Sequence, residues 1–172
     1  MEIKRILKLK KGDGTARRVD FPNSLKELEA KAKEFIPINE NFQKYQFIEE
    51  MAKKEIIGQA YKWGGSSVAS GFDCSGYVYW VMNTSGVASF PRTSANVILE
   101  TFCDKVSPGA AKPGDLIFFQ GTYATYGASH VGIYLGNNQM IHCGDPIKIT
   151  NITTNYWTSH FYTFGRIKDE YR

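Results

Sequence analysis

The segment Gly-Phe-Asp-Cys-Ser-Gly at residues 71–76 is followed directly by Tyr-Val-Tyr-Trp-Val-Met at residues 77–82. Val78, Val81 and Met82 recur at near-helical spacing, which predicts a buried helix. Asp73 suits the cap position of this helix because its carboxylate can accept the free amide hydrogens of the first turn. Cys74 then stands at the first helical residue, where those amides and the positive end of the helix dipole favour a thiolate. Cys74 is therefore a candidate nucleophile, with a small core hydrophobic residue as the open alternative.

Two of the three histidines lie on strands predicted in the C-terminal half of the chain. His130 opens one strand, and His142 closes the next one across a turn at residues 136–138. This separation can bring both imidazoles to the same end of neighbouring strands, within hydrogen-bonding distance. A cysteine nucleophile needs a base within reach and a third polar group that orients the base. We therefore predict Cys74 as the nucleophile, His130 as the base and later the acid, and His142 as the orienting group.

A metal site is the competing chemistry, because Cys74, His130, His142 and Cys143 are residue types that zinc prefers. Structural zinc sites usually bring their ligands as close pairs, which this chain lacks. His142 and Cys143 are adjacent on a predicted strand, so their side chains should point to opposite faces. We therefore expect no metal and no cofactor, and we interpret Cys103 and Cys143 as buried thiols.

The order of the predicted elements indicates an α+β fold, because helices come first and strands follow without alternation. Helices are predicted at residues 25–35, at about 42–61 and from residues 91–94 to about Phe102, in addition to the cysteine helix. Short apolar or β-branched runs predict an antiparallel meander at residues 116–119, 130–135, 139–142, 147–152 and 162–167. The change of character near residue 42 predicts an extension of unknown role at residues 1–44 and a catalytic domain at residues 45–172.

Composition sets limits on the class of protein. The 172 residues include 42% hydrophobic and 14% aromatic residues, which supports one domain with a substantial core. We expect no transmembrane segment, because no apolar run approaches the roughly 18 residues that a membrane span needs. We also expect no secretory signal peptide, so the protein acts where it is made or the sequence is a piece of a longer exported or phage protein.

Positive charge is concentrated at the N-terminus, where seven of the first eighteen residues are Lys or Arg and two are acidic. Such an arm can contact an anionic polymer, or it can be a solvated surface strand. We expect no nucleic acid partner, and we expect a monomer.

Four stretches, in this order, make the chain resemble the NlpC superfamily of bacterial cell-wall cysteine peptidases. They are Tyr-Lys-Trp-Gly-Gly at 61–65; Gly-Phe-Asp-Cys-Ser-Gly at 71–76; Pro-Arg-Thr-Ser at 91–94 with Lys-Pro-Gly-Asp-Leu at 112–116; and Ser-His-Val-Gly-Ile-Tyr-Leu-Gly at 129–136 with Met-Ile-His at 140–142. The likeness covers residues 60–166. It implies a papain-like fold in which the cysteine helix packs on an antiparallel sheet that carries the histidines.

The resemblance also implies a function, hydrolysis of peptidoglycan stem peptides, most often between γ-D-glutamate and the diamino acid. Such an enzyme is expected outside the cell or at the wall. Amidase activity, cleavage of another bond, and a module that binds wall peptides without cutting them are the alternatives.

The resemblance further implies roles for individual residues. Asp73 and Ser75 would hold the free amino end of the peptide, and Tyr61 would polarise the scissile carbonyl. Trp63, Arg92 and Ser129 are further candidate substrate-binding residues, and core packing or loop bracing is the alternative for Tyr61, Trp63 and Arg92. The segment at residues 120–129, with Tyr123 and Tyr126, is longer and more aromatic than in many relatives and would sit beside His130.

Overall fold

The computed structural model describes residues 56–172. The predicted helix at residues 25–35, most of the helix at 42–61, and the boundary at residue 44 lie outside these residues. Within them, the strands are β1 (Ser66–Ser67), β2 (Gly71–Phe72), β3 (Cys103–Val106), β4 (Leu116–Gln120), β5 (Ala128–Gly136), β6 (Gln139–Cys143), β7 (Ile147–Asn151) and β8 (Phe161–Ile167). The α-helices are α1 (Cys74–Thr84), α2 (Ala95–Val97) and α3 (Asn155–His160). A π-helical turn (Ile98–Phe102) and two 3₁₀ turns (Pro108–Ala110 and Asp169–Tyr171) complete the elements.

Six strands form one antiparallel sheet in the order β3-β8-β4-β5-β6-β7. The tight connection between β5 and β6 contains Asn137 and Asn138, both with positive φ (48° and 58°). Two successive left-handed residues are what a two-residue hairpin of the twisted sheet requires, and asparagine tolerates that conformation well. The α+β class with an antiparallel sheet is confirmed, and β4 to β7 form the predicted meander. The last predicted strand, β8, pairs with β4 and β3 and not with β7, because the chain crosses back to the other side of β4.

Helix α1 begins where the sequence predicts. The carboxylate of Asp73, in extended backbone geometry, accepts a hydrogen bond from the amide of Gly76. The helix buries Tyr77, Val78, Val81 and Met82 and packs against β5. Cap and apolar face together place Cys74 at the helix start, against the middle of the sheet.

Several elements differ from the predictions. The helix predicted to reach Tyr61 does not do so: residues 56–58 form a turn, and Tyr61 instead makes an isolated bridge with Phe72. The third predicted helix is a single α-turn, capped by Ser94, that continues as the π-helical turn. Apolar periodicity alone does not distinguish these conformations, because backbone pairing with distant residues decides between them.

Strand β3 and helix α3 were not predicted. Strand β3 reads Cys-Asp-Lys-Val, exposes its two central residues, and is held by pairing with β8 some sixty residues away. Helix α3 reads Asn-Tyr-Trp-Thr-Ser-His and buries none of its residues fully. Both lack the local pattern that identifies an element.

Across residues 56–172, no helix combines the length and the apolar character that a membrane crossing requires.

Candidate active site

Cys74 lies at the N-terminus of α1 and is 5% exposed. Its sulfur is within hydrogen-bonding reach of the backbone amides of Ser75 and Val131 and of the Tyr61 hydroxyl. Val131 is the neighbour of His130 on β5, so the packing of α1 on β5 brings the thiol to the strand that carries the first histidine.

The two histidines predicted to pair do so. Nε2 of His130 lies 2.8 Å from Nδ1 of His142, and the rings are nearly perpendicular with centroids 5.0 Å apart. His142 continues the chain, because its Nε2 lies 2.9 Å from the Oγ1 atom of Thr150 on β7. Three neighbouring strands thus contribute one polar side chain each to a continuous hydrogen-bonded row.

The row is compatible with the tautomers that a base requires. If Nδ1 of His130 is to accept a proton, its Nε2 carries the hydrogen and donates it to Nδ1 of His142. His142 then carries its own hydrogen on Nε2, which donates to Thr150. The hydroxyl oxygen of Thr150 can accept this hydrogen, which favours the tautomer of His142 that accepts from His130. Sequence reasoning missed Thr150 because a threonine on a strand has no catalytic signature.

Burial keeps both imidazoles neutral at rest. The pKa of His130 is lowered to about 4 by burial, against an opposing effect of the Asp73 charge. The pKa of His142 is lowered to about 3, first by burial and then by the positive charges of His130 and Lys148. A neutral His142 is the form that can accept a hydrogen bond from a protonated His130.

The thiol is also neutral, contrary to the expectation from its place on the helix. Burial, and then the nearby charge of Asp73, raise the pKa of Cys74 to about 11. The amides of Val131 and Ser75 and the Tyr61 hydroxyl act in the opposite direction but do not outweigh burial. The resting site therefore contains a neutral thiol and neutral imidazoles.

An indole ring covers the two histidines. The ring centroid of Trp157, on α3, lies 5.4 Å from that of His130 and 5.1 Å from that of His142. The Trp157 ring also packs against Phe119, with the ring centroids 4.6 Å apart. This cover explains the burial of the imidazoles, and it depends on an element that the sequence did not predict.

Asp73 organises a compact polar cluster. Its Oδ1 accepts hydrogen bonds from the Gly76 amide (2.7 Å) and the Ser75 hydroxyl (3.0 Å). Its Oδ2 accepts from the Gly64 amide (2.9 Å) and forms a salt bridge with Nη2 of Arg92. Nη1 of Arg92 also donates to the Ser75 hydroxyl at 2.8 Å. Three of the predicted binding residues are thus brought together, with Arg92 engaged by Asp73 and Ser75.

Tyr61 and Trp63 lie on the chain segment before β1, and the Tyr61 hydroxyl reaches the Cys74 sulfur. Burial, and then the charges of Cys74 and Asp73, raise the pKa of Tyr61, so its hydroxyl stays protonated and can donate beside the sulfur. Trp63 is 70% exposed, and its ring meets that of Tyr123 edge-to-face at 5.2 Å. The segment after β4 therefore contacts the segment before β1 across the site.

Ser129 occupies a different environment from the one expected of a binding residue. It is 1% exposed. Its hydroxyl lies 3.0 Å from the amide of Thr122, 2.7 Å from the Thr122 hydroxyl and 3.3 Å from the carbonyl of Phe119. This placement favours the bracing of the loop at residues 121–127 over a contact with substrate.

The remaining cysteines are free and buried, as predicted. Cys143 lies on the face of β6 opposite to His142, with its sulfur 3.1 Å from the carbonyl oxygen of Phe72. It therefore does not join the two histidines in a common ligand set. Among residues 56–172, no group of three or more His, Cys, Asp or Glu side chains is arranged to hold a metal ion.

Residues 58–166 match the model of the NlpC/P60 family. The bifunctional muramidase/DL-endopeptidase CwlT of Bacillus subtilis is 42% identical over 69% of this chain and 36% of its own length. The probable endopeptidase p60 of Listeria monocytogenes is 45% identical over 64% of this chain and 22% of its own length. The murein DD-endopeptidase MepH of Escherichia coli is 37% identical over 64% of this chain and 42% of its own length. The chain thus spans well under half the length of these relatives.

Among solved structures, an NLP/P60-family protein similar to lipoprotein from Staphylococcus aureus superposes with a TM-score of 0.66 at 35% identity. The superposition covers 74% of this chain and 42% of the staphylococcal chain. The matched region contains the cysteine helix, the sheet and both histidines. On this evidence, the chain belongs to the NlpC/P60 family.

Proposed function

We propose that this chain is an endopeptidase that cuts peptidoglycan stem peptides through Cys74. The observation that carries the proposal is the row His130–His142–Thr150, which is joined by hydrogen bonds of 2.8 and 2.9 Å. This row starts at the neighbour of Val131, whose backbone amide reaches the Cys74 sulfur. The names of the relatives, which are cell-wall endopeptidases, support the substrate class. We place its action at the bacterial cell wall for the same reason.

The mechanism starts from the neutral pair. As the sulfur of Cys74 attacks the scissile carbonyl carbon, its proton passes to Nδ1 of His130. His142 supports the resulting imidazolium by accepting the hydrogen on Nε2 of His130. The oxyanion is stabilised by the backbone amide of Cys74 and by the hydroxyl of Tyr61, which stays protonated because its pKa is raised by burial.

Collapse of this intermediate breaks the C–N bond, and His130 gives its proton to the leaving amine. Water, deprotonated by the same imidazole, then attacks the thioester and releases the acyl half of the peptide. The thiol is regenerated, so no cofactor is consumed.

We further propose that the bond cut is the one between γ-D-glutamate and the diamino acid. The support is the DL-endopeptidase name of the relative at 42% identity. The relative at 37% identity carries a DD-endopeptidase name, which makes the D-alanyl cross-link the rival bond. Amidase activity remains a third outcome.

Mass spectrometry on defined muropeptides separates these reactions. The substrates are a monomeric tetrapeptide, which contains the γ-D-glutamyl bond and no cross-link, and a dimer with a D-alanyl cross-link. We expect the monomer to yield a dipeptide ending in γ-D-glutamate. We expect the dimer to be cut at the same bond, between γ-D-glutamate and the diamino acid. Monomers released from the dimer with intact stem peptides would assign the DD bond instead.

The nucleophile is tested by Cys74→Ala with Cys103→Ala as the matched control. Both thiols are buried and free, and Cys103 lies on β3, outside the site. We expect Cys74→Ala to abolish cleavage and Cys103→Ala to retain it. Cleavage by a folded Cys74→Ala variant would contradict the mechanism, and an inactive wild-type chain that still bound muropeptides would support the binding-module alternative.

A further inference from the structure

Asp73 is expected to hold the amino end of the peptide, but its carboxylate has no free acceptor position for an ammonium group. A carboxylate offers about four lone-pair sites. On Asp73, these are taken by the amides of Gly76 and Gly64, the hydroxyl of Ser75 and the guanidinium of Arg92. Arg92 also places a positive charge at this spot, and that charge repels an ammonium group. The cluster therefore fits an uncharged amino end better than a free amine.

An exposed aromatic pair lies next to this cluster. Trp63 stands between Tyr61, whose hydroxyl reaches the thiol, and Gly64, whose amide binds Asp73. Its ring is 70% exposed although it contacts Tyr123, which is itself 43% exposed. Burial, and then the charges of Cys74 and Asp73, raise the pKa of Tyr123. Large rings left uncovered beside a site mark a surface for a ligand.

In intact peptidoglycan, the amino end of the stem peptide is not a free amine. It is an amide of the lactyl group of N-acetylmuramic acid, so it is uncharged and continues into a sugar ring. The C–H groups on one face of a sugar are weakly positive and stack on the negative face of an aromatic ring. A substrate whose amino end passes Asp73 would bring this sugar to the aromatic pair.

We propose that Trp63 and Tyr123 form a binding surface for the N-acetylmuramic acid ring. The chain would then prefer stem peptides that are still attached to the glycan over free peptides. This inference rests on the proposed function, because the proposed bond places the L-alanyl-γ-D-glutamyl half of the substrate on the Asp73 side of Cys74.

Binding can be measured without cleavage in the Cys74→Ala variant. The probes are N-acetylmuramyl-L-alanyl-D-isoglutamine and the same dipeptide with a free amine, titrated by calorimetry. We expect the muramyl probe to bind at least about tenfold more tightly, which corresponds to roughly 1.4 kcal/mol. Equal affinities, or tighter binding of the free amine, would overturn the proposal.

Removal of each aromatic ring tests whether Trp63 and Tyr123 bind the sugar. In the same background, Trp63→Ala and Tyr123→Ala should each reduce affinity for the muramyl probe toward that of the free dipeptide, and Trp63→Tyr should retain part of it. Tyr126→Ala is the control, because this ring is on the same loop and is 91% exposed. Equal losses for both probes would mean that the rings hold the peptide and not the sugar, and would refute the proposal.

Cleavage assays separate this inference from the proposed function. If the active chain cuts glycan-linked and free peptides with the same kcat/KM, the endopeptidase function stands and the sugar surface does not. If the Cys74→Ala variant shows the binding preference but the active chain cuts neither substrate, the surface stands and the hydrolase function fails.

Discussion

Thr150 shows how a residue with no catalytic chemistry of its own can control a site. Its Oγ1 atom lies 2.9 Å from Nε2 of His142 and can accept a hydrogen from it, an arrangement in which Nδ1 of His142 accepts from His130. Without that partner, the Nε2 hydrogen of His142 loses its acceptor, so the tautomer that accepts from His130 is less favoured. The effect of Thr150 is therefore on the orientation and tautomer of the base.

Replacing Thr150 with valine keeps the shape of the side chain and removes the acceptor. We expect kcat to fall by about 10-fold or more with little change in KM, because partners of this kind typically contribute that much. Thr150→Ser should retain most of the activity. Nitrogen chemical shifts of His142, measured by NMR, should report the Nε2–H tautomer in wild-type and Thr150→Ser and its loss in Thr150→Val.

A merely structural role would give another result. In that case Thr150→Ser, which loses a methyl group, would be the more damaging change. The nitrogen chemical shifts of His142 would then be the same in all variants.

The protonation state of Cys74 is set by burial. Its pKa is raised to about 11, so the thiolate fraction at pH 7 is small and grows about tenfold with each pH unit up to that value. We expect the rate of iodoacetamide labelling, followed by peptide mass spectrometry, to rise throughout the range from pH 6 to pH 10. A rate already at its plateau at pH 6 would instead indicate a preformed thiolate–imidazolium pair.

At the scale of the element, the start of α1 depends on a close approach of two backbones. A Cβ atom on Gly76 would lie 1.9 Å from the carbonyl oxygen of Gly65. The same carbonyl accepts the amide of Asp73, which ties the cap of α1 to the segment before β1. No side chain fits there, so glycine at this position is a requirement of packing.

Gly76→Ala should therefore lower the free energy of unfolding by about 3 kcal/mol, because neither backbone can yield without moving Cys74. Chemical denaturation monitored by circular dichroism measures this loss. Gly109→Ala is the control: nothing lies within 4 Å of the added methyl group, and we expect a change within about 0.5 kcal/mol. Equal stability of the two variants would show that α1 can shift without cost.

At the scale of the whole molecule, one ion pair joins two segments that are distant in sequence and neighbours in the sheet. Asp115 precedes β4 and is fully buried, and Arg166 on β8 donates to both of its oxygens at 2.8 and 2.7 Å. Asp115 also accepts the amide of Lys112 at 2.8 Å. The carboxylate is thus held by groups from two segments that are far apart in the chain.

Removal of Arg166 by substitution with methionine leaves Asp115 buried without its cation. We expect a loss of about 3 to 5 kcal/mol in the free energy of unfolding. Lys105→Ala provides the matched surface control, because Lys105 and its partner Glu100 are both about half exposed. An exposed pair contributes about 0 to 1 kcal/mol. Losses of similar size in both variants would contradict a special role for the buried pair.

The buried imidazoles make the stability of the whole domain depend on pH. In the unfolded chain both histidines titrate near 6.5, whereas burial lowers their folded pKa values to about 4 and about 3. Below pH 6.5 the unfolded chain binds more protons, so stability that is complete above 6.5 is lost as the pH falls toward 4 and 3. For His130 the full loss is about 3 kcal/mol.

Urea denaturation at pH 7.5, 5.5 and 4.5 measures this dependence. A His130→Asn, His142→Gln variant should show a flatter profile over the same range, because it lacks the groups that gain protons on unfolding. A wild-type profile as flat as that of the variant would mean that the histidines are protonated in the fold.

Local chemistry, which can be read from the sequence, determined one helix, one hairpin and the facing of two side chains in this protein. Asp73 before Cys74 specified a capped helix, the asparagines at 137 and 138 specified a tight hairpin, and strand alternation separated His142 from Cys143. These features depend on nearest neighbours along the chain, which is why the helix, the meander and the meeting of His130 with His142 could be predicted.

Only the tertiary structure decided the rest, because burial and long-range contacts do not follow from local order. Burial under Trp157 made the imidazoles neutral, and burial against β5 raised the pKa of the Cys74 thiol against the helix dipole. Thr150 became the partner of His142 through the pairing of β6 with β7, and Arg92 was drawn to Asp73 and Ser75. The sequence specifies which groups can react, and the fold sets their protonation states and partners.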